Sequence, residues 1–388
     1  GAGTVNDLEA GWLLSFNDAN VAAFSGALTY DSPIEVPAGR GGLTPDLHLT
    51  YSNRRVDGIL TWTQSDWAGL GWSIDTMEIV RAIKPTADWY SGWIDPRDEA
   101  YRYNQFTLMY NGTGYRLIPA GKNPPYGRYY TEDEQFLYIE RRNTWGNNGS
   151  SVNKTSEYWI VRLRDGTEYQ LGYNEDSEQV FRSKYYWTDA ARYAGDAAEV
   201  DGGWIAFRWR VDRIRDQRGN EVRFTYNDDE PYRCGFYRER ASYLETIEYN
   251  DWGGQAYSRV RFVRQDRGSS PPDGGNFITC SQEVCCSFFF QDQYLDRVVV
   301  ESRNPETDQW EIAREYDLDY TMWTQDRPGG SATRVLKEIK HYGRGGVAGG
   351  QSLPKTSFWY WNYENKGAAS PNDPSEWNRE RFLYPRLY

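Results

Sequence analysis

Short runs of β-forming residues, each closed by a Gly, Asn or Asp turn, recur along almost the whole chain and leave little room for anything but sheet. Trp159-Ile-Val-Arg-Leu163, Trp204-Ile-Ala-Phe-Arg-Trp209, Arg259-Val-Arg-Phe-Val263 and Phe358-Trp-Tyr-Trp-Asn-Tyr363 are such runs, several of them alternating apolar with polar positions. Asn111-Gly112, Asp165-Gly166, Gly219-Asn220 and the stretch from Asp251 to Gly254 sit where hairpin turns belong. Only the Ala-rich stretch from Asp189 to Glu199 has helical character, and Gly195 weakens it. The chain carries 31 Tyr, 17 Trp and 15 Phe against 3 Met, and aromatic rings fit a pleated, half-buried surface. They also explain how a chain with a mean hydropathy of −0.83 folds, because disordered chains of such low hydropathy lack aromatics.

The formal net charge is −12 and no run of Lys or Arg interrupts it, so a phosphate backbone is repelled and no nucleic-acid partner is expected. No stretch approaches the roughly 20 apolar residues of a membrane-spanning helix. A signal peptide is not visible, and the start Gly1-Ala2-Gly3 is expected to be processed or truncated. The four cysteines, Cys234, Cys280, Cys285 and Cys286, lie in one third of the chain. With only His48 and His341 to help, a zinc site would be all-cysteine, and the adjacent pair spaces poorly for a C-x-x-C knuckle. No metal or other cofactor is therefore expected.

An even, clustered count suits two disulfides in an oxidising compartment, hence a secreted or cell-surface protein; free buried thiols are the alternative. The favoured arrangement joins Cys234 to one of Cys285 and Cys286 and Cys280 to the other, since sequence neighbours rarely bridge comfortably. Candidate glycosylation sites are Asn111, Asn148 and Asn153, each in a turn-like segment.

A loose repeat marks the second half. Val211-Asp-Arg-Ile214, Leu244-Glu-Thr-Ile247, Leu295-Asp-Arg-Val298 and Leu336-Lys-Glu-Ile339 each precede an aromatic-rich strand: Val222 to Tyr226, Arg259 to Phe262, Tyr316 to Tyr320 and Phe358 to Tyr360. Stacked antiparallel hairpins forming one large twisted sheet account for this all-β pattern; unrelated hairpins of shared composition are the alternative. The Gly/Ser/Pro-rich stretches Arg267 to Asn276, Arg327 to Thr333 and Gly343 to Ser352 are expected as long hairpin loops. Residues 1–23 are expected as a lead-in arm and 24–388 as one β region, with 24–200 its N-terminal part and 201–388 the hairpin repeats.

The most specific signature is Phe24 to Asn53, with Pro33-Ile-Glu-Val-Pro37, Gly39-Arg40-Gly41-Gly42-Leu43-Thr-Pro45 and Leu47-x-Leu49-x-Tyr51-Ser in order, followed by Gly69-Leu70-Gly71-Trp72-Ser73-Ile74. It resembles the opening of SpvB-type and Rhs (YD-repeat) proteins, and later pieces keep the family's order as far as Tyr243-Leu-x-x-Ile247-x-Tyr249. Relatives of that family include the B component of insecticidal toxin complexes, polymorphic Rhs toxins and the teneurin YD shell. The resemblance implies a hollow β cocoon, often enclosing a C-terminal toxic domain or serving as an extracellular scaffold. Two features depart from the family pattern: the chain stops at Tyr388, and the Rhs self-cleavage region with its aspartates is missing.

Physically these motifs are packing and turn residues. Pro33 and Pro37 belong at a strand end or edge. Gly39, Gly41 and Gly42 are expected in a tight turn of positive φ, and Gly69 and Gly71 where backbone approaches a neighbour, with Trp72 as anchor. Leu47, Leu49 and Tyr51 should face inward while Asp46, His48 and Thr50 stay wetter. Chemistry is scarce. Glu132-Asp-Glu134 reads as an acidic turn, and Asp317-Leu-Asp319 as a solvated face or at best a weak calcium pair, since one strand cannot place two carboxyls across a glycosidase cleft. No nucleophile, zincin, Walker or Rossmann motif occurs, so no catalytic residue is expected.

The expected role is a non-catalytic shell or scaffold segment. Its partners would be the remainder of a longer chain, or further copies meeting an unpaired apolar strand at Arg379 to Tyr388. The rival readings are a surface-carbohydrate binder using Trp89-Tyr90-x-x-Trp93, Tyr185-Tyr-Trp187 or Trp359-Tyr-Trp361, and a filament or sheath subunit.

Overall fold

A computed structural model describes residues 20–22, 27–57, 65–81, 105–121, 126–144, 153–185, 200–229, 232–233, 236–239, 241–268, 291–324, 332–350, 352–360 and 385–387. Every strand pairing among them is antiparallel, and helix is limited to one short α-turn, Asn53–Asp57, and three 3-10 turns. The all-β expectation holds. The expected helical stretch from Asp189 to Glu199 and all four cysteines lie outside the described residues.

The first four strands, β1 (Asn20–Ala22), β2 (Ala27–Pro33), β3 (His48–Ser52) and β4 (Trp72–Ile74), form a small sheet in chain order. Seven strands come next as a meander: β5 (Glu78–Arg81), β6 (Phe106–Tyr110), β7 (Thr113–Pro119), β8 (Gly127–Thr131), β9 (Tyr138–Asn143), β10 (Glu157–Arg162) and β11 (Glu168–Leu171). After β12 (Glu178–Tyr185) comes the long β13 (Val200–Arg215), which pairs with β11 along one edge and β5 along the other. That double pairing closes an eight-stranded barrel.

Closure was not part of the stacked-hairpin expectation. It depends on β13 meeting β5 more than a hundred residues upstream, with Trp209 opposite Ile79, and local turn signals carry no information about such a pairing. The same strand also pairs with β12 and with β14 (Glu221–Asp229), so it belongs both to the barrel and to the hairpin sheet on its C-terminal side.

Beyond β13 the repeat unfolds as expected. Next to β14 lie, in order, β17 (Ala241–Trp252), β18 (Gln255–Asp266), β19 (Gln293–Arg303), β20 (Trp310–Thr324), β21 (Ala332–Tyr342), β22 (Thr356–Tyr360) and β23 (Pro385–Leu387). The small hairpin β15 (Tyr232–Arg233) and β16 (Phe236–Arg238) pairs back onto β12. Each apolar-x-x-apolar motif falls on the first strand of a pair and each aromatic segment on the next. One expectation is corrected: the terminal strand is paired, since Phe358 of β22 lies opposite Leu387.

Two of the turns show why the strands reverse where they do. Asn111 and Gly112 sit at φ 50° and 69° between paired Tyr110 and Thr113, and Gly253 and Gly254 at 59° and 84° between Trp252 and Gln255. Both central residues positive is the turn whose twist matches a hairpin. Four of the long pairs contain a register shift, at Thr225/Tyr226, Val263/Arg264, Val300/Glu301 and Asp319/Tyr320. Such bulges bend and twist the strands that carry them.

Candidate functional site

The signature segment is a strap. Its described residues, 30–57 and 65–72, lie on one face of the hairpin sheet and touch six consecutive strands. Tyr249 of β17 donates its hydroxyl to Pro37 O at 2.7 Å, and Trp67 packs on Tyr243 of β17 and Phe262 of β18, with centroids 5.9 and 6.1 Å away. Leu295 N of β19 donates to Trp67 O at 2.9 Å, and Glu35 N donates to the Tyr316 hydroxyl of β20 at 2.9 Å. Leu70 N donates to Arg334 O of β21 at 2.9 Å, and Trp72 meets Phe358 of β22 at 4.7 Å. Arg267, which is buried, holds the last part of the strap by donating to Ser65 O at 3.0 Å and Asp66 O at 2.9 Å.

The signature residues now have individual reasons. Pro33 ends β2, where no ladder N–H is needed. Tyr51 and Trp72 are fully buried and meet at 5.4 Å. Leu47 and Leu49 are buried beside half-buried His48 and Thr50, as the alternation required, and Pro45 is buried while Leu43 packs at the margin.

Gly71, at φ 79°, lies so close to Tyr51 that an added Cβ would fall 2.5 Å from the ring; at Gly69, φ 102°, it would fall 3.3 Å from Leu336 N. Gly41 and Gly42 have the expected positive φ, but Gly39 does not. Gly39 is extended at φ −83°, and its glycine is required because a Cβ would collide with Leu43 O at 1.8 Å. Arg40 stacks over Trp252, 4.2 Å from the ring centroid, clamping this turn to the β17–β18 hairpin.

Of the glycosylation candidates, Asn148 lies outside the described residues. Asn111 is exposed at its turn. Asn153 is buried, its amide donating to Glu157 O at 2.7 Å and Gly172 O at 2.5 Å while its oxygen accepts from Ser156 N at 2.5 Å. A glycan there would replace one of the two donating amide hydrogens and would need space around a buried side chain. The aromatic runs weighed as sugar platforms fall outside the described residues or on positions whose side chains are not described.

Two polar clusters were missed by the sequence reading. Inside the barrel, Arg81 and Arg141 flank Glu157 at 3.3 and 2.6 Å, among Phe106, Trp159 and Trp209. Arg81 also donates to Ala206 O at 2.7 Å. Burial pushes Arg81 down to about 10; burial opposes ionisation of Glu157 too, but Arg141 and Arg81 hold it below the ordinary glutamate range. Their signal was phase: Arg81 stands two residues from Ile79, Arg141 two from Ile139 and Glu157 two from Trp159, all on the inward face.

The second cluster, around Glu178, Glu239, Asp228 and Asp212, lies where the barrel gives way to the hairpins. Burial pushes Glu178 and Glu239 up to about 8 and Asp212 and Asp228 up to about 7.

The carboxylates singled out in the sequence do not converge on a reaction centre. Glu132 to Glu134 form an exposed turn, with Phe136 N donating to Glu134 at 2.6 Å. Asp319 pairs with Lys340, while Asp317 is pushed up to about 6 by burial and by Glu315. Among the described residues no three His, Cys, Asp or Glu groups are placed to hold a metal ion.

The family described as Salmonella virulence plasmid 65kDa B protein, SpvB, matches residues 22–255, well over half of the chain. The chain belongs to the SpvB family. No curated protein matches it in sequence. In fold it is similar to the crystal structure of TcdB2-TccC3, with a TM-score of 0.53 and 13% identity over 89% of this chain and 17% of that one. A Photorhabdus luminescens Tc holotoxin pore gives 0.50 and 14% over 87% of this chain and 16% of that one. The N-terminal domain of effector protein SpvB from Salmonella typhimurium strain LT2 gives 0.47 and 14% over 80% and 98%. The chain thus spans about a sixth of the length of the toxin-complex chains it matches.

Proposed function

We propose that this SpvB-family chain is a non-catalytic wall segment of a secreted or cell-surface β shell of the Rhs/YD kind, whose enclosed space takes a cargo such as a toxic domain. The observation that carries this reading is the strap: the family signature is spent on lacing one face of the hairpin sheet, and its residues are rings, glycines and backbone bonds with no reaction centre among them. The likeness in fold to TcdB2-TccC3 supports it. The partners are then the remainder of a longer chain or further copies of the segment, and residues 24–200 and 201–388 are two parts of one wall that share β13. Disulfides among Cys234, Cys280, Cys285 and Cys286 would suit an extracellular wall.

Two measurements test the reading. Light scattering on the purified segment should show association at high concentration, and a monodisperse monomer would count against a wall that needs completing. Assays against glycosides, esters and nucleotides should be blank; turnover abolished by one carboxylate substitution would refute the non-catalytic half.

A further inference from the structure

At the boundary between barrel and hairpin sheet, carboxyl groups outnumber the cations that face them. Glu178 of β12 is fully buried and is held by Thr155, whose N donates at 3.2 Å and whose hydroxyl also donates, and by the backbone N of Lys154. All these donors are neutral. The charged groups that act on Glu178 are Glu157 of β10, which repels it, and Arg81 of β5, already bound to Glu157. Glu239, just ahead of β17, is also buried; it accepts from Lys154 Nζ at 2.7 Å and Val180 N at 2.7 Å, and its own N donates to Val180 O at 3.1 Å.

Asp228 of β14 acts on the same Lys154, and also faces Arg210 of β13, Asp176 ahead of β12 and Ser242 of β17. Lys154 lies 3.7 Å from Glu175, and Arg210 is 3.7 Å from Glu78 of β5 and donates to Ser242. Asp212 of β13 is buried beside them, accepting from Tyr173 N at 2.5 Å, Asn174 N at 3.2 Å and Ser177 Oγ at 3.1 Å. A buried carboxyl that lacks a cation, or shares one with other carboxyls as Glu239 shares Lys154, tends to keep its proton, because the alternative is a charge in a poorly polarisable surrounding.

We propose that this junction is a pH-operated latch between barrel and hairpin sheet, closed while its carboxyls hold protons and loosened as they lose them. Its members add ties across the junction to those made by β13 and by the bond from Tyr226 N of β14 to Asp176. Glu239 ties the link ahead of β17 to β12 and to the segment leading into β10, and Glu178 ties β12 to that same segment. Ionising Glu178 sets it against Glu157, and ionising both Glu239 and Asp228 sets two carboxylates around Lys154, with the nearby Arg210 already facing Glu78.

The raised values fix the sign. A carboxyl released to solvent has a pKa near 4, so between there and about 8 the open form has shed protons that the closed form retains. The latch contributes fully below that window, and its contribution is lost as pH rises through it. The opening constant climbs by up to about tenfold per pH unit per carboxyl, then levels off.

Hydrogen exchange on the whole chain at pH 5.5, 7 and 8.5, corrected for the intrinsic rate, tests the proposal. Opening of β12, β14 and the start of β17 should increase at least tenfold across that range relative to β6, β7 and β8. Glu178→Gln and Glu239→Gln, neutral at every pH, should flatten the increase. A uniform pH response along the chain, or Gln variants that keep the full slope, would overturn it. If neither variant folds, the wild-type profile alone decides, and a β12 response no steeper than that of the barrel sinks the latch.

Discussion

The barrel and the hairpin sheet use the same antiparallel strands but fill their interiors differently. In the barrel the strands supply their own core: Phe106 meets Trp159 at 5.0 Å, Trp209 at 5.8 Å and Tyr129 at 5.8 Å, each ring from a different strand. The hairpin sheet instead leaves one face to be covered by the strap from some two hundred residues upstream, with Trp72 against Phe358 and Trp67 against Tyr243. A barrel's core is assembled once its pairings close. A strapped sheet's core depends on a segment that its own strands neither contain nor adjoin, so the two regions should fail separately.

The sharpest way to break that comparison is to remove one buried indole from each. Trp72→Ala and Trp159→Ala both delete a fully buried ring and should each cost about 3–5 kcal/mol. Their footprints should differ. Hydrogen exchange in Trp72→Ala is expected to rise over β20, β21 and β22 while β6 to β10 stay protected, and Trp159→Ala should show the reverse. Identical footprints would mean that strap and barrel unfold as one cooperative body.

A somewhat smaller effect is expected from the barrel's ionic centre. Glu157→Gln leaves Arg81 and Arg141 buried with no opposing charge at their side, and breaking a buried pair from one side costs about 3 kcal/mol or more. Thermal unfolding checks the size. Exchange confined to β5, β9 and β10 would place the damage in the barrel, whereas a loss spread over β17 to β22 would erase the distinction between the regions.

How far sequence could reach tracks the same division. The hairpin sheet was legible because its information is local: Leu295-Asp-Arg-Val298 and Tyr316 to Tyr320 announce two strands, and their pairing needs only a return. The residues of the strap were legible as a motif, though what they pack against was not, because Trp72 and Phe358 lie almost three hundred residues apart. Barrel closure was hidden for the same reason. The buried charges were hidden differently, since Arg81, Arg141 and Glu178 look like solvated strand residues until their phase against Ile79, Ile139 and Val180 is counted. Gly39 was misread because sequence shows that a glycine is required without showing whether φ or space requires it.

That last ambiguity gives the finest test, because two glycines of similar backbone shape differ only in their surroundings. Gly112 sits at φ 69° in the β6–β7 turn, and an added Cβ would meet only Asp75 at 3.5 Å, an ordinary contact. Gly112→Ala should therefore cost only the left-handed conformation, about 1 kcal/mol. Gly71 sits at φ 79°, but its Cβ would lie 2.5 Å from a Tyr51 ring that is fully buried and 3.0 Å from Val56, so neither neighbour can yield freely. Gly71→Ala adds overpacking of about 1–3 kcal/mol to the same backbone term. Denaturant midpoints of the two variants measure the difference directly. Equal losses would mean that the strap gives way around Tyr51 at little cost, and that the close approach at Gly71 does not fix how it lies on the sheet.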